Sequence, residues 1–230
     1  MWASEIEPFP IAVSKTHFPE MVHLGSVTDI NGAEIEPVDI IAGGFPCQDL
    51  SVAGKREGLQ GNRSGLFFQL VRIIREMRDA TSGAYPAVIV LENVPGLLSA
   101  SKGQDFLAVL KELTESDIPM PRSGKWAKHG VVRTSDRELA WTILDAKHFG
   151  VPQRRRRIFI VVDFRNRCSA EILFEPEGMS WDSPEGRKTR EKVAAGVGDG
   201  TEGTGGTVLF EPRSQDGCPR IHGGGYKSNS

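Results

Sequence analysis

Three features of this sequence predict an α/β fold, a largely parallel sheet covered by helices. Residues 38–42 (VDIIA) and 87–91 (AVIVL) are short apolar runs rich in β-branched residues, the pattern of central strands buried on both faces. Between them, residues 64–78 place Leu66, Phe67, Leu70, Ile73, Ile74 and Met77 at helical spacing, with Arg72, Arg75 and Arg78 on the other side. A strand, a helix and a strand in that order form a β-α-β unit, whose two strands run parallel.

The remaining elements follow from the same two periodicities. Residues 104–115 carry Phe106, Leu107, Leu110 and Leu113 on one face, which predicts a second amphipathic helix. Residues 139–146 and 158–163 read as further strands, and residues 117–130, interrupted by proline and glycine, as a loop. Glycine concentrates toward the C-terminus, where residues 196–206 read GVGDGTEGTGG and predict loop or disorder.

Composition narrows the function classes. The 230 residues correspond to one domain and a remainder, at about 150 residues per domain. With 39% hydrophobic and 25% charged residues, the chain is not a wholly disordered, collagen-like or disulfide-scaffold protein. No apolar stretch approaches the roughly 20 residues that span a bilayer, and no basic-then-apolar signal pattern opens the chain, so an intracellular protein is expected. Cys47, Cys168 and Cys218 are odd in number and lack CxxC spacing, which fits a reducing compartment and gives no zinc site. A net charge of −2 excludes holding nucleic acid by bulk charge, so any basic site must be local.

Chemistry concentrates at three places. Residues 43–48 (GGFPCQ) follow the first apolar run and project Cys47 beyond the carboxyl edge of the sheet, where open α/β sheets bind ligands. A loop cysteine near positive charge shifts toward thiolate, the form that attacks electrophilic carbon. An isolated cysteine is more often a small buried residue, so its surroundings decide. The second run ends in Glu92-Asn93-Val94-Pro95, which brings a carboxyl to the same edge, either as a proton donor or as a helix cap or loop ion pair. Residues 153–157 (QRRRR) lead directly into the last strand. Basic runs are usually solvated faces. Here strand alternation sends Arg155 and Arg157 to one face and Arg154 and Arg156 to the other, so one pair can enter a site. Residues 151–167 hold six arginines against Asp163 alone, which suits a polyanionic substrate.

In this order, the three elements resemble the DNA cytosine-5 methyltransferase family: Gly44-Phe45-Pro46-Cys47-Gln48 its nucleophile motif, Glu92-Asn93-Val94 its acid motif, and Gln153-x-Arg155-x-Arg157 its arginine motif. The resemblance covers residues 2–164. It implies a Rossmann-like S-adenosylmethionine-dependent methyltransferase sheet in three α/β/α layers. It also implies a reaction in which the Cys47 thiolate adds to carbon 6 of cytosine, Glu92 delivers a proton toward ring nitrogen 3, and Arg157 and Arg155 hold the ring carbonyl and orient the carboxylate. The base must be flipped from the duplex to be reached, and Gln48, Ser51, Lys55 and Arg63 are expected to contact the DNA backbone or close over it.

For the cofactor, S-adenosyl-L-methionine, the resemblance implies that Glu5 bonds the ribose hydroxyls and Ile6 packs on adenine. Ser26 and Val27 form the next motif, with Ser26 where the family usually has an aspartate, and Pro46 and Leu66 complete the set. Double-stranded DNA is the expected partner of a monomer without metal or membrane, in the cytoplasm of a bacterial cell or phage-infected host, in a restriction-modification or related role. Residues 1–167 are expected to form the catalytic core, lacking the family's glycine-rich first motif, and residues 168–230 to start a target-recognition region. Two alternatives remain open at this point: an inactive remnant that binds DNA weakly, and a transfer RNA cytosine-5 methyltransferase of the same lineage.

Overall fold

The two apolar runs and the helix between them fold as the expected β-α-β unit in the computed structural model, which describes residues 1–46 and 65–174. In chain order the elements are β1 (Trp2–Ala3), α1 (Pro8–His17), β2 (Val22–His23), β3 (Ile40–Gly44), α2 (Leu66–Ala80) and β4 (Val88–Asn93), followed by α3 (Gln104–Thr114), β5 (His129–Arg133), β6 (Glu138–Asp145), β7 (Arg156–Asp163) and α4 (Ser169–Leu173). Strands β3 and β4 are parallel, with Gly44 opposite Glu92, and α2 makes the crossover.

The five-stranded sheet has the order β3-β4-β7-β6-β5, and β7, β6 and β5 each run antiparallel to their neighbours. The sheet is therefore mixed rather than largely parallel. Connections explain the difference, because a parallel return needs a crossover of a dozen or more residues, while the turn at residues 134–137 permits only a hairpin. Strand β3 is also an edge strand and not a central one: Ile41 points into the core and Ile40 is 46% exposed.

Helices α2 and α3 cover one face. Phe67, Val71, Ile74 and Met77 from α2, and Phe106, Val109, Leu110 and Leu113 from α3, meet Ile41, Ile89, Leu91, Leu139, Ile158 and Ile160 of the sheet. Each such side chain contributes about 1.5–3 kcal/mol when fully buried, so this layer is the principal stabilising element. Leu66, expected inside, sits exposed at the first position of α2, and Val71 takes a core place instead. On the opposite face, Ile172 and Leu173 of α4 pack against Ala87, Val88 and Val161.

Five weakly patterned elements, β1, α1, β2, β5 and α4, escaped the sequence pattern. Strand β5 begins inside the expected loop and contains Gly130, which weakens a strand signal. That glycine is required because it lies opposite Trp141, whose ring would stand 2.3 Å from a Cβ added there. Helix α1 opens with Pro8 and Pro10, which fit a first turn but obscure helical periodicity, and it buries no residue. Strands β1 and β2 form a separate two-residue parallel pair. The chain then docks on α2 through residues 27–32: Arg72 donates to the carbonyls of Val27 and Ile30, and Glu76 accepts from the Gly32 amide. Gly32 is needed for this approach, since a Cβ there would stand 2.2 Å from the Ile73 carbonyl oxygen.

Candidate active site

Strand register decides which residues meet. Glu92 lies opposite Gly44 on β3 and opposite Phe159 on β7. Directly opposed residues share a sheet face, and so do residues two apart, which places Arg157 and Arg155 on the side of Glu92. Arg157 Nε stands 2.7 Å from Glu92 Oε1, and Arg155 Nη2 3.6 Å from the same oxygen. Arg157 is fixed further by donating from Nη1 to the Arg156 carbonyl. The second carboxylate oxygen, Oε2, faces β3, 3.5 Å from where a Cβ on Gly44 would stand. Of the two bland readings for Glu92, the ion pair is realised, but with the two arginines of the Gln-x-Arg-x-Arg segment and at the carboxyl end of β4.

Asn93 is a further residue at the candidate site, one that periodicity and charge did not single out. It is buried, donates from Nδ2 to the Phe45 carbonyl at 2.8 Å and accepts the Val94 amide on Oδ1. It thus ties the exit of β3, two residues before Cys47, to the end of β4 that carries Glu92. The available signal was a polar side chain closing an apolar run, because a buried amide persists only when its hydrogen bonds are satisfied.

A second group forms at the ends of β1 and β2. Ser4 Oγ donates to the Gly25 carbonyl at 2.8 Å, which joins the segment of Glu5 and Ile6 to that of Ser26 and Val27. Glu5 Oε1 accepts from the Ile6 and Glu7 amides at 2.8 and 2.9 Å. Those hydrogen bonds, from Glu7 first and Ile6 second, hold its carboxyl below the usual carboxylate range. Ile6 is 66% exposed, so its apolar face is open. Ser26 Oγ and Thr28 Oγ1 share a hydrogen bond of 2.7 Å, and Val27 contributes its carbonyl to Arg72. Pro46 is exposed at the exit of β3, and Leu66 begins α2. Cys47, Gln48, Ser51, Lys55 and Arg63 lie outside the described residues.

Among the described residues, no group of three histidine, cysteine, aspartate or glutamate side chains is placed to hold a metal ion, and no helix is long and apolar enough to cross a membrane. A cleft lined by Arg75, Arg78, Glu112, Glu115, Arg137 and Phe164 lies at the other end of β7 from Arg157; Arg75 and Arg137 pair with Glu112 and Glu115, and Arg78 lies over the Phe164 ring and donates to the Pro86 carbonyl.

A family model described as C-5 cytosine-specific DNA methylase matches residues 1–192. The chain belongs to this family. Its mixed sheet with helices on both faces is accordingly an α/β methyltransferase fold. The chain is 36% identical over 228 residues to a protein of Escherichia phage P1 named DNA N-6-adenine-methyltransferase, covering 86% of this chain and 30% of that protein. It is 36% identical over 161 residues to Type II methyltransferase M1.ScrFI of Lactococcus lactis subsp. cremoris, covering 70% of this chain and 34% of the relative. To Type II methyltransferase M.MspI of Moraxella sp it is 33% identical over 177 residues, covering 76% and 36%. The chain thus spans about a third of the length of these relatives. The phage P1 name refers to adenine and the family description to cytosine. The family model matches this stretch itself, whereas most of the phage protein lies outside the match.

Proposed function

We propose that this chain is the catalytic part of a DNA cytosine-5 methyltransferase acting through a covalent Cys47 adduct. The observation that carries this reading is the Glu92 carboxylate, held by Arg157 and Arg155 on one oxygen and presenting the other toward the β3 exit that leads to Cys47. Carbon 5 of cytosine is a poor nucleophile. When the Cys47 thiolate forms a bond to carbon 6, electron density moves through the ring toward nitrogen 3, which takes the proton that Glu92 carries in its carboxylic acid form, and carbon 5 becomes enamine-like. Arg157 and Arg155 keep the carboxyl aimed and stabilise charge at the ring carbonyl. Once carbon 5 has been substituted, water takes its proton, the carbon 5–carbon 6 double bond re-forms with expulsion of Cys47 as thiolate, and nitrogen 3 returns its proton to Glu92.

The residues present fit S-adenosylmethionine. Glu5 has one oxygen engaged by backbone amides and Oε2 left as an acceptor for a ribose diol, beside the exposed face of Ile6 for an adenine ring. Ser26, Val27, Pro46 and Leu66 complete the set. When bound, this cofactor supplies an electrophilic methyl group. Of residues 168–230, α4 packs on the sheet, and the residues that follow it are assigned to the start of target recognition, with duplex DNA in a restriction-modification setting as the substrate.

The test is covalent trapping on duplex DNA carrying 5-fluorocytosine with S-adenosylmethionine. A denaturation-resistant adduct is expected with the full chain and none with Cys47→Ser. An adduct that survives the substitution overturns the nucleophile assignment, and no adduct with either protein overturns activity for this chain. Nucleoside analysis after methyl transfer to unmodified DNA should give 5-methylcytosine; N6-methyladenine would favour the chemistry in the phage P1 relative's name, and methylation of transfer RNA alone would favour the RNA alternative.

A further inference from the structure

The arginines of this fold divide into those with carboxylate partners and those without. Arg75 pairs with Glu112 and Glu115, Arg137 with Glu115 and Asp136, and Arg72 with Glu76. These charges are spent on holding elements together. The β6–β7 hairpin differs. It carries Lys147 and Arg154 to Arg157, and only Arg155 and Arg157 find a carboxylate, that of Glu92. Lys147, Arg154 and Arg156 are exposed and make no side-chain hydrogen bond or ion pair among the described residues. Asp145 does not neutralise them directly, because its Oδ1 accepts the backbone amides of Lys147 and Arg155.

The hairpin is also a built structure. Asp145 binds across its base, Ala146 donates to the Arg155 carbonyl, and Asp145 and Arg156 stand in register between β6 and β7. The uncompensated cations are therefore displayed from a defined scaffold. Because β7 runs antiparallel to β4, the hairpin projects at the edge of the sheet where Glu92 ends β4. Parity sends Arg157 to the Glu92 face and Arg156 to the other, so one ribbon presents cations on both of its sides beside the carboxylate.

We propose that Arg154 and Arg156, with Lys147, form a grip for the phosphodiester backbone of duplex DNA flanking the target base, separate from the pair that serves Glu92. This rests on the reading of the chain as a DNA methyltransferase. Arg156 opens β7, and Arg154 stands two residues before it in a turn where the Arg155 amide donates to the Gln153 carbonyl; with both side chains exposed, the two arginines can engage phosphates of one strand. Such contacts position a protein without reading sequence, and each neutralised phosphate releases counterion.

The test is the salt dependence of duplex binding by the full chain, followed by fluorescence anisotropy on two unrelated duplexes. The R154Q/R156Q double variant should weaken binding equally for both and lower the slope of log affinity against log salt by about 2, at roughly 0.9 per phosphate. Arg165→Gln serves as the control. It removes a cation at the other end of β7 that donates to the Ala84 carbonyl, and it should leave the slope unchanged. An unchanged slope in the double variant overturns the grip, as does an equal drop in the control, absence of duplex binding at low salt, or a drop confined to hairpin RNA. Trapping by the wild-type chain alongside an unchanged slope would sink the grip and leave the methyltransferase reading standing; the expected slope change without trapping would do the reverse.

Discussion

In residues 1–29 no apolar side chain is buried, whereas the sheet β3–β7 with α2 and α3 fully encloses Phe67, Phe106, Met77, Ile89 and Leu91. Phe9 on α1 is 78% exposed, and of β1 only Trp2 leans on the central core. The two regions also divide the proposed chemistry. Glu92, Arg155 and Arg157 stand on the enclosed part, and Glu5, Ile6, Ser26 and Val27 on the open one. Bond-making side chains are thus supported by a core of their own. The segment proposed to face the cofactor is held mainly by main-chain hydrogen bonds and by its docking on α2. A ligand site with so little buried support is expected at the low-stability end of a fold.

Four measurements would break or sharpen this contrast. Glu92→Gln should lower methyl transfer by about 10²–10⁴-fold, the usual contribution of a positioned acid, while leaving the S-adenosylmethionine affinity in calorimetry unchanged; a matching loss of cofactor affinity would mean that the two regions are not separable. Phe106→Ala, at the centre of the enclosed region, should cost about 3–5 kcal/mol in urea unfolding. Asn93→Ala should cost about 1–3 kcal/mol, because a buried carbonyl and amide lose their partner, and should also slow trapping by Cys47 through a displaced β3 exit. Phe9→Ala should shift stability by no more than about 0.5 kcal/mol. A loss at Phe9 comparable with that at Phe106 would show that α1 is packed in solution and would remove the contrast.

Much of the enclosed region was legible in the sequence. The β-α-β unit, α3, β6 and β7 follow from apolar periodicity, and periodicity reports burial, which is what stabilises those elements. Elements with little burial leave little pattern, which is why α1, β1 and β2 were missed. The mixed direction of the sheet was hidden for another reason: an apolar run in β7 looks the same whichever way the strand runs, and only its neighbours set its sense. The same holds for β3, whose apolar residues suit either an edge or a centre.

The candidate site divides in the same way. The residue types and their order, Cys47 in GFPCQ, Glu92 after a strand and arginines at alternate positions before another, are properties of the chain alone, and they sufficed to name the family. Alternation separated Arg155 and Arg157 from Arg154 and Arg156 because side-chain direction along an extended chain is local geometry. The pair that meets Glu92 was a tertiary decision, made by the register that sets Glu92 opposite Phe159. Register likewise gave Asn93 its role, through a bond to Phe45 that is 48 residues distant in the chain. Local geometry can be read along a sequence, but pairing between strands is fixed by which faces the whole sheet must bury.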